Sequence, residues 1–82
     1  MQMSGHQTVP TGADYNSSDA EFMKRMVPHH EMAISMAAAA YTQSKNTAVR
    51  DFALQVFSAQ SNEVAFMKAW LSARGLKPYS SM

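Results

Sequence analysis

Apolar residues recur along two stretches of the chain at spacings of three and four positions, which is the period of an α-helix. The first stretch has two neighbouring rows: one contains Phe22, Met26, His29, Ala33, Met36 and Ala40, and the other contains Met23, Val27, His30, Ile34, Ala37 and Tyr41. The second stretch has a row that contains Val49, Ala53, Val56, Gln60, Glu63, Met67 and Trp70, widened by Phe52, Phe57, Val64 and Leu71. The pattern predicts two helices, over residues 19–42 and 47–74.

Local signals mark the start of each predicted helix. Ser18 and Glu21 have the spacing of a capping box, with Ser18 as the N-cap and Glu21 at the third helical position. Asn46 or Thr47 can cap the second helix, because short polar side chains accept hydrogen bonds from the first free backbone N–H groups.

Other signals mark the end of the second helix and the link between the two. Gly75 suits the position after the C-cap, Leu76 can close a Schellman contact, and Pro78 prevents the helix from continuing. The break over residues 42–47 is short, which makes the two helices an antiparallel hairpin. The predicted fold class is therefore all-α.

The predicted helical-hairpin domain covers residues 18–76, between a flexible tail at 1–17 and a flexible end at 77–82. The tail holds two of the three glycines and no periodic apolar pattern. We see in it no charged segment followed by an apolar one, so no signal peptide is visible.

The small size of this domain predicts a partner. A two-helix hairpin cannot cover both of its apolar faces, and a chain with no cysteine has no disulfide to compensate for a small core. Pairing of two copies as a homodimer would complete a four-helix bundle. Met32 and Phe66, outside or at the edge of the apolar rows, are candidates for contacts at that interface.

Composition and charge argue against several classes of function. Seven basic and six acidic residues leave a net charge of +1, with no excess to neutralise a nucleic-acid backbone. The longest nearly apolar stretch, residues 32–41, is too short for a membrane span, which needs about 20 residues. No Glu is followed by His three positions later, as a di-iron site requires, and no arrangement supports hydrolysis. We therefore expect the protein not to be an enzyme.

Polar residues interrupt the apolar rows at His29, His30, Gln60 and Glu63. A turn centred near residues 44 and 45 would place His30 opposite Ala59 or Gln60, and Met26 opposite Glu63. The polar side chains of both helices should then meet at one level. That level would also be rich in thioether sulfur, since the chain has 8 Met in 82 residues.

This layer has two interpretations. In one, His and Glu or Gln form a hydrogen-bonded network that removes the cost of burying them, and no ligand is involved. In the other, the layer binds a metal, since imidazole suits Cu, Zn and Ni and thioethers suit Cu(I) or Ag(I). Met26 precedes His29 by three positions and His30 by four, within reach on one helix. The two His diverge by about 100°, so one can ligate while the other orients Glu63 or Gln60.

Pro28 lies inside the first predicted helix. It removes the hydrogen bond to the carbonyl of Lys24, at a cost of about 3 kcal/mol, and the freed carbonyl would meet water. The resulting bend either gives the helix the curvature that packing in a bundle requires or orients the side chains of His29 and His30. A helix that begins at Pro28 is an alternative, against which the capping box at Ser18 argues.

The chain resembles the CopM-like family, also known as domain of unknown function 305, over residues 19–71. The resemblance rests on the pattern Asp19-x-x-Phe22-x-x-x-Met26-x-Pro28-His29-His30-x-x-Ala33-Ile34-x-Met36-Ala37, followed by Gln60-x-x-Glu63-x-x-x-Met67-x-x-Trp70-Leu71. It implies a ferritin-like helical fold, export, and copper binding linked to copper resistance in the periplasm. Many members contain two such hairpins, whereas this chain has one.

The resemblance also implies a set of metal ligands: Met26, His29, His30, Met36 and Met67, with Met23 and Glu63 close by. We therefore expect a protein of periplasmic copper homeostasis that binds Cu(I), with Ag(I) as its mimic, or Cu(II), and that works with other periplasmic copper proteins. The alternative is a structural or protein-interaction bundle module with no metal role. The tail adds Met1, Met3 and His6, which could capture soft metals weakly.

Overall fold

The computed structural model describes residues 13–80 and contains two helices, α1 (Ser17–Gln43) and α2 (Thr47–Ala73), packed as an antiparallel hairpin. Three residues link the two helices, so the all-α hairpin predicted from the sequence is confirmed. The predicted donors Met1, Met3 and His6 lie outside the described residues. Neither helix combines the length and the apolar character that a membrane crossing requires.

Helix α1 begins earlier than predicted, and its cap is a different residue. The side chain of Asn16 accepts a hydrogen bond from the backbone N–H of Asp19 at 2.9 Å, and the Asp19 carboxylate accepts one from the Asn16 N–H at 3.0 Å. This is a capping box with Asn16 as N-cap, so the assignment of Ser18 and Glu21 was wrong. Both pairs have the required spacing of three, and the pair observed lengthens the helix.

Helix α2 begins and ends as predicted. The Asn46 side chain accepts a hydrogen bond from the N–H of Val49 at 3.0 Å and so acts as the N-cap. At the other end, the N–H of Leu76 donates to the Leu71 carbonyl at 2.9 Å, and that of Gly75 donates to the Ser72 carbonyl at 3.0 Å. This is a Schellman motif, and the φ of +71° at Gly75 is the left-handed conformation that favours glycine.

The core is concentrated at the open end of the hairpin, away from the turn. One cluster there contains Ala20, Val27, Val64, Met67, Leu71 and Leu76. Tyr15, Met23, Met26, Ile34 and Trp70 pack against it. Toward the turn, the buried residues in the described part of the chain are Ala37 and Ala53. Larger apolar side chains near the turn therefore stay exposed.

The pairing of the two helices follows the predicted turn. Near the turn, Ala33, Met36 and Ala40 of α1 line one groove with Val49, Phe52 and Val56 of α2, as a turn centred near residues 44 and 45 implies. The side chain that contacts His30 is that of Glu63, one helical turn from the predicted positions 59 and 60, with 2.6 Å between Nε2 and Oε1. The polar residues of both helices therefore meet, although the partner of His30 differs from the predicted one.

Residues 77–80, within the predicted flexible end, run back along α1. The backbone N–H of Tyr79 donates a hydrogen bond to the carbonyl of Lys24 at 3.1 Å. Pro28 lies inside α1 and cannot donate to that carbonyl, since it has no N–H. The helix continues through Pro28. The freed carbonyl of Lys24 accepts a hydrogen bond from the Tyr79 N–H, whereas the sequence predicted that it would bind water.

Candidate functional site

His30 is held at both ring nitrogens. Its Nδ1 lies 3.0 Å from the backbone carbonyl of Met26, one turn earlier on α1, and its Nε2 lies 2.6 Å from Oε1 of Glu63 on α2. The His30 side chain is 14% exposed and that of Glu63 is 56% exposed. The imidazole therefore bridges the two helices at mid-length, with Glu63 on its solvent side.

The Met26 carbonyl determines the tautomer of this imidazole. A carbonyl oxygen only accepts hydrogen bonds, so Nδ1 carries a proton and donates it. Nε2 is then the ring nitrogen that faces Oε1 of Glu63. Metal-binding His residues commonly donate the other ring N–H to a backbone carbonyl in the same way.

Three methionines belong to the core cluster or pack against it. Met67 is one turn beyond Glu63 on α2, is 5% exposed, and belongs to the cluster. Met26, one turn before His30, and Met23 both pack against it. The three thioethers therefore lie within one or two helical turns of His30 or Glu63 along their own helices.

The other predicted donors face outward. His29 is exposed, since it points about 100° away from His30 around the helix axis. Met36 is 66% exposed and lies about 9 Å farther along the axis than His30. The structure thus pairs His30 with Glu63, places Met23, Met26 and Met67 in or against the core cluster, and leaves His29 and Met36 on the surface. The role of all seven residues as ligands stays a prediction.

The imidazole and carboxylate side chains of the described residues do not form a metal cluster by themselves. Residues 13–80 contain no group of three or more His, Asp or Glu side chains placed to hold an ion. They also contain no buried side-chain nitrogen or oxygen that lacks a hydrogen-bond partner. The donor set of one imidazole and three thioethers matches soft ions such as Cu(I).

Charged contacts that the sequence did not reveal fasten the segments around the open end. Arg74 Nη2 lies 2.7 Å from Oδ2 of Asp14, and its guanidinium stacks 4.1 Å from the Trp70 ring centroid. Hydrogen bonds from Arg74 lower the pKa of Asp14 below its usual value. The Tyr79 hydroxyl donates to the Glu21 carboxylate, which raises the pKa of Tyr79. Arg74 and Trp70 are four positions apart, but Asp14 and Arg74, and likewise Glu21 and Tyr79, are far apart in the sequence and meet only after the helices pair.

The chain is similar to one protein family and to one viral protein, and the descriptions of both name no function. It matches the family described as Domain of unknown function (DUF305) over residues 19–82. An uncharacterised protein of Acanthamoeba polyphaga mimivirus is 30% identical over 59 residues, which make up 72% of this chain. The chain spans 39% of the length of that viral relative. No solved structure matches the chain with significant similarity. The match to the family covers most of the residues, and the chain therefore belongs to the DUF305 family.

Proposed function

We propose that the protein binds Cu(I) as cargo, through Nε2 of His30 and the thioether sulfurs near it. The observation that supports this most directly is the contact of His30 Nδ1 with the Met26 carbonyl, at 3.0 Å. Since Nδ1 carries a proton, Nε2 is the nitrogen that can ligate. The metal would bind Nε2 on the side that now faces the Glu63 carboxylate.

The inner sulfurs supply the rest of the ligand set. Met26 on α1 is one turn from His30, Met67 on α2 is one turn from Glu63, and Met23 is the third thioether at the same core cluster. Thioethers are soft and uncharged, and they bind Cu(I) and Ag(I) in preference to Zn²⁺ or Mg²⁺. Glu63 would leave Nε2 on metal binding, and its 56% exposed carboxylate can then turn to solvent.

The proposed biological role is copper homeostasis or resistance in the periplasm, without enzymatic activity. It rests on the resemblance of residues 19–71 to copper-binding relatives together with the donor set around His30. Binding to another periplasmic copper protein and the use of Cu(II) as a second cargo belong to the same proposal.

An anaerobic Cu(I) titration against a competing chelator tests the site. We expect His30→Ala to weaken binding at least tenfold. His29→Ala is the matched control, because it removes the neighbouring imidazole, which points away from the inner sulfurs. Equal affinity for wild type and His30→Ala would contradict the proposal. Equal losses in the two variants would instead support the wider ligand set that the sequence suggests.

A structural role without metal is the second candidate. It is favoured by the completeness of the contacts of His30, because both of its ring nitrogens have oxygen partners within the chain. A satisfied polar layer can specify how helices pair. Under this alternative Ag(I) leaves the melting temperature unchanged, whereas a metal that binds only the folded state must raise it.

We also propose that the hairpin pairs with a second copy as a homodimer, which completes a ferritin-like four-helix bundle. The support is the large apolar side chains that the hairpin leaves exposed on both faces. A domain normally buries such faces between two packed layers, and this hairpin is a single layer of two helices.

A further inference from the structure

The hairpin leaves one apolar row of each helix only partly covered, with Met26 and Trp70 in these rows also packing against the core cluster. The outer row of α1 contains Phe22, Met26, His29, Ala33, Met36 and Ala40, and the outer row of α2 contains Val49, Phe52, Val56, Ala59, Glu63, Phe66 and Trp70. Both rows step by alternating spacings of three and four, a strict heptad pattern. Such a pattern is typical of a seam that packs against another helix.

The two outer rows form a single face, which we call the outer face. Near the turn, Met36 and Ala40 line a groove together with Phe52 and Val56. At the open end, Phe22 lines a second groove together with Phe66 and Trp70. The most exposed members are Phe22 at 59%, Met36 at 66%, Phe52 at 65% and Phe66 at 64%. These large side chains are therefore distributed over the whole length of the face.

The opposite face is less suited to pairing along its whole length. It has an apolar groove near the turn, lined by Ala38, Leu54 and Phe57 among others. Farther along it, Lys68 Nζ and Glu31 Oε2 form an ion pair at 3.1 Å between the helices. On the outer face, the interhelical polar contact among the described residues is that of Glu63 with His30, and the rest of the two rows is mainly apolar.

From this arrangement we infer that the outer face binds the outer face of a second copy, with α1 of each copy lying over α2 of the other and with both turns at the same end. The inference goes beyond the proposed homodimer, since it names the face and the orientation.

The orientation follows from charge. Among the described residues, four polar side chains lie on the outer face: Asp14 and Asp19 at the groove of the open end, and His29 and Glu63 at mid-length. His29 and Glu63 are on different helices and lie near one level, because Glu63 contacts His30, the neighbour of His29. If α1 lies over α2 of the partner, His29 of each copy meets Glu63 of the other. If α1 lay over α1, His29 would face His29, and each copy would lose this complementarity.

The available area fits a stable dimer. A helix of 27 residues is about 40 Å long, and two helices side by side are about 20 Å wide. The face therefore offers roughly 800 Å² per copy, which is the standard size of a specific interface. The arrangement also makes all neighbouring helices antiparallel, as in up-and-down four-helix bundles.

Sedimentation equilibrium with a chelator present tests the face independently of any metal. We expect wild type to have twice the monomer mass. Phe52→Glu should weaken the dimer at least about 30-fold, since it places a charge in the buried seam. Leu54→Glu is the matched control: Leu54 is 53% exposed but lies on the opposite face, so this variant should remain dimeric. A monomeric wild type, or equal dissociation in both variants, would overturn the inference.

Cross-linking tests the orientation, and the chain has no native cysteine to interfere. Ala33→Cys and Ala59→Cys are made as separate proteins, mixed, and oxidised. We expect a disulfide-linked dimer in the mixture and none in either protein alone, because position 33 should meet position 59 of the partner. Cross-linking of the Ala33→Cys protein with itself, or none in the mixture, would overturn the orientation.

Discussion

The N–H of Tyr79 donates a hydrogen bond to the carbonyl of Lys24, and so occupies the acceptor that Pro28 leaves without its helical partner. The same tyrosine donates its hydroxyl to Glu21, and the Lys24 and Arg25 side chains lie 5.6 and 5.8 Å from its ring centroid. Leu76, three residues earlier, is buried in the core cluster beside Met67. Pro28 thus leaves the carbonyl of Lys24 without its helical donor, and this carbonyl binds the C-terminal segment to α1.

Pro28→Ala should loosen this segment. Alanine restores an N–H at position 28 that competes with Tyr79 for the Lys24 carbonyl. A hydrogen bond of this type contributes about 0.5–1.5 kcal/mol, so the amide exchange of Tyr79 should accelerate roughly 3- to 10-fold. Hydrogen exchange followed by NMR measures this directly. Unchanged protection of the Tyr79 amide would show that other contacts hold the segment.

The contact between Tyr79 and Glu21 should make the attachment sensitive to alkali. The hydrogen bond to Glu21 raises the pKa of Tyr79 above 10.0, since the protonated phenol is the form that donates. This contribution to stability is complete below about pH 10 and is lost as the pH rises through the raised pKa. Phenolate absorbance across this range measures the titration. Glu21→Gln, which removes the negative charge, should return the pKa of Tyr79 toward its usual value.

The two candidate N-caps of α1 provide a matched pair of variants. Asn16→Ala removes the side chain that accepts the Asp19 N–H and should reduce the free energy of unfolding by about 1 kcal/mol. Ser18→Ala should change it by less than about 0.5 kcal/mol, because Ser18 is exposed and lies beyond the cap. Urea unfolding compares the two. A larger loss in Ser18→Ala would reverse the assignment of the cap.

Methionine substitutions separate the inner sulfurs from the exposed ones. Met67→Leu preserves the volume of a buried side chain and should cost less than about 1.5 kcal/mol of stability. If Met67 ligates, this variant should lose most of the rise in melting temperature that Ag(I) produces, since the rise follows the affinity for the folded state. Met32→Leu is the control, because Met32 is 62% exposed on α1. A full response of Met67→Leu to Ag(I) would remove Met67 from the ligand set.

Much of the fold could be predicted from local patterns. The spacings of three and four predicted both helices, Asn46 was among the expected caps, and Gly75 and Leu76 form the Schellman motif that their sequence order indicates. The start of α1 was predicted wrongly, because Ser18 and Glu21 have the same spacing as Asn16 and Asp19, which form the capping box. Only the backbone path before Ser17 distinguishes Asn16 from Ser18.

The candidate site was predictable in composition but not in arrangement. Met and His side chains at helical spacing indicated a soft donor set, and the sequence proposed His29 and His30 together. The structure separates them, since adjacent positions on a helix diverge and only one of them can face α2. Met36 likewise belongs to the outer row, which no element of this chain covers.

The sequence by itself determined the two helices, the N-cap and the C-terminal motif of α2, the short link and the presence of a polar layer. These features depend on residues within a few positions of one another. Tertiary structure alone decided the contact of His30 with Glu63, the burial of Met67 and the attachment of Tyr79 to Lys24. These contacts join residues far apart in the chain. Their geometry depends on how two side-chain surfaces interdigitate, which local spacing does not specify.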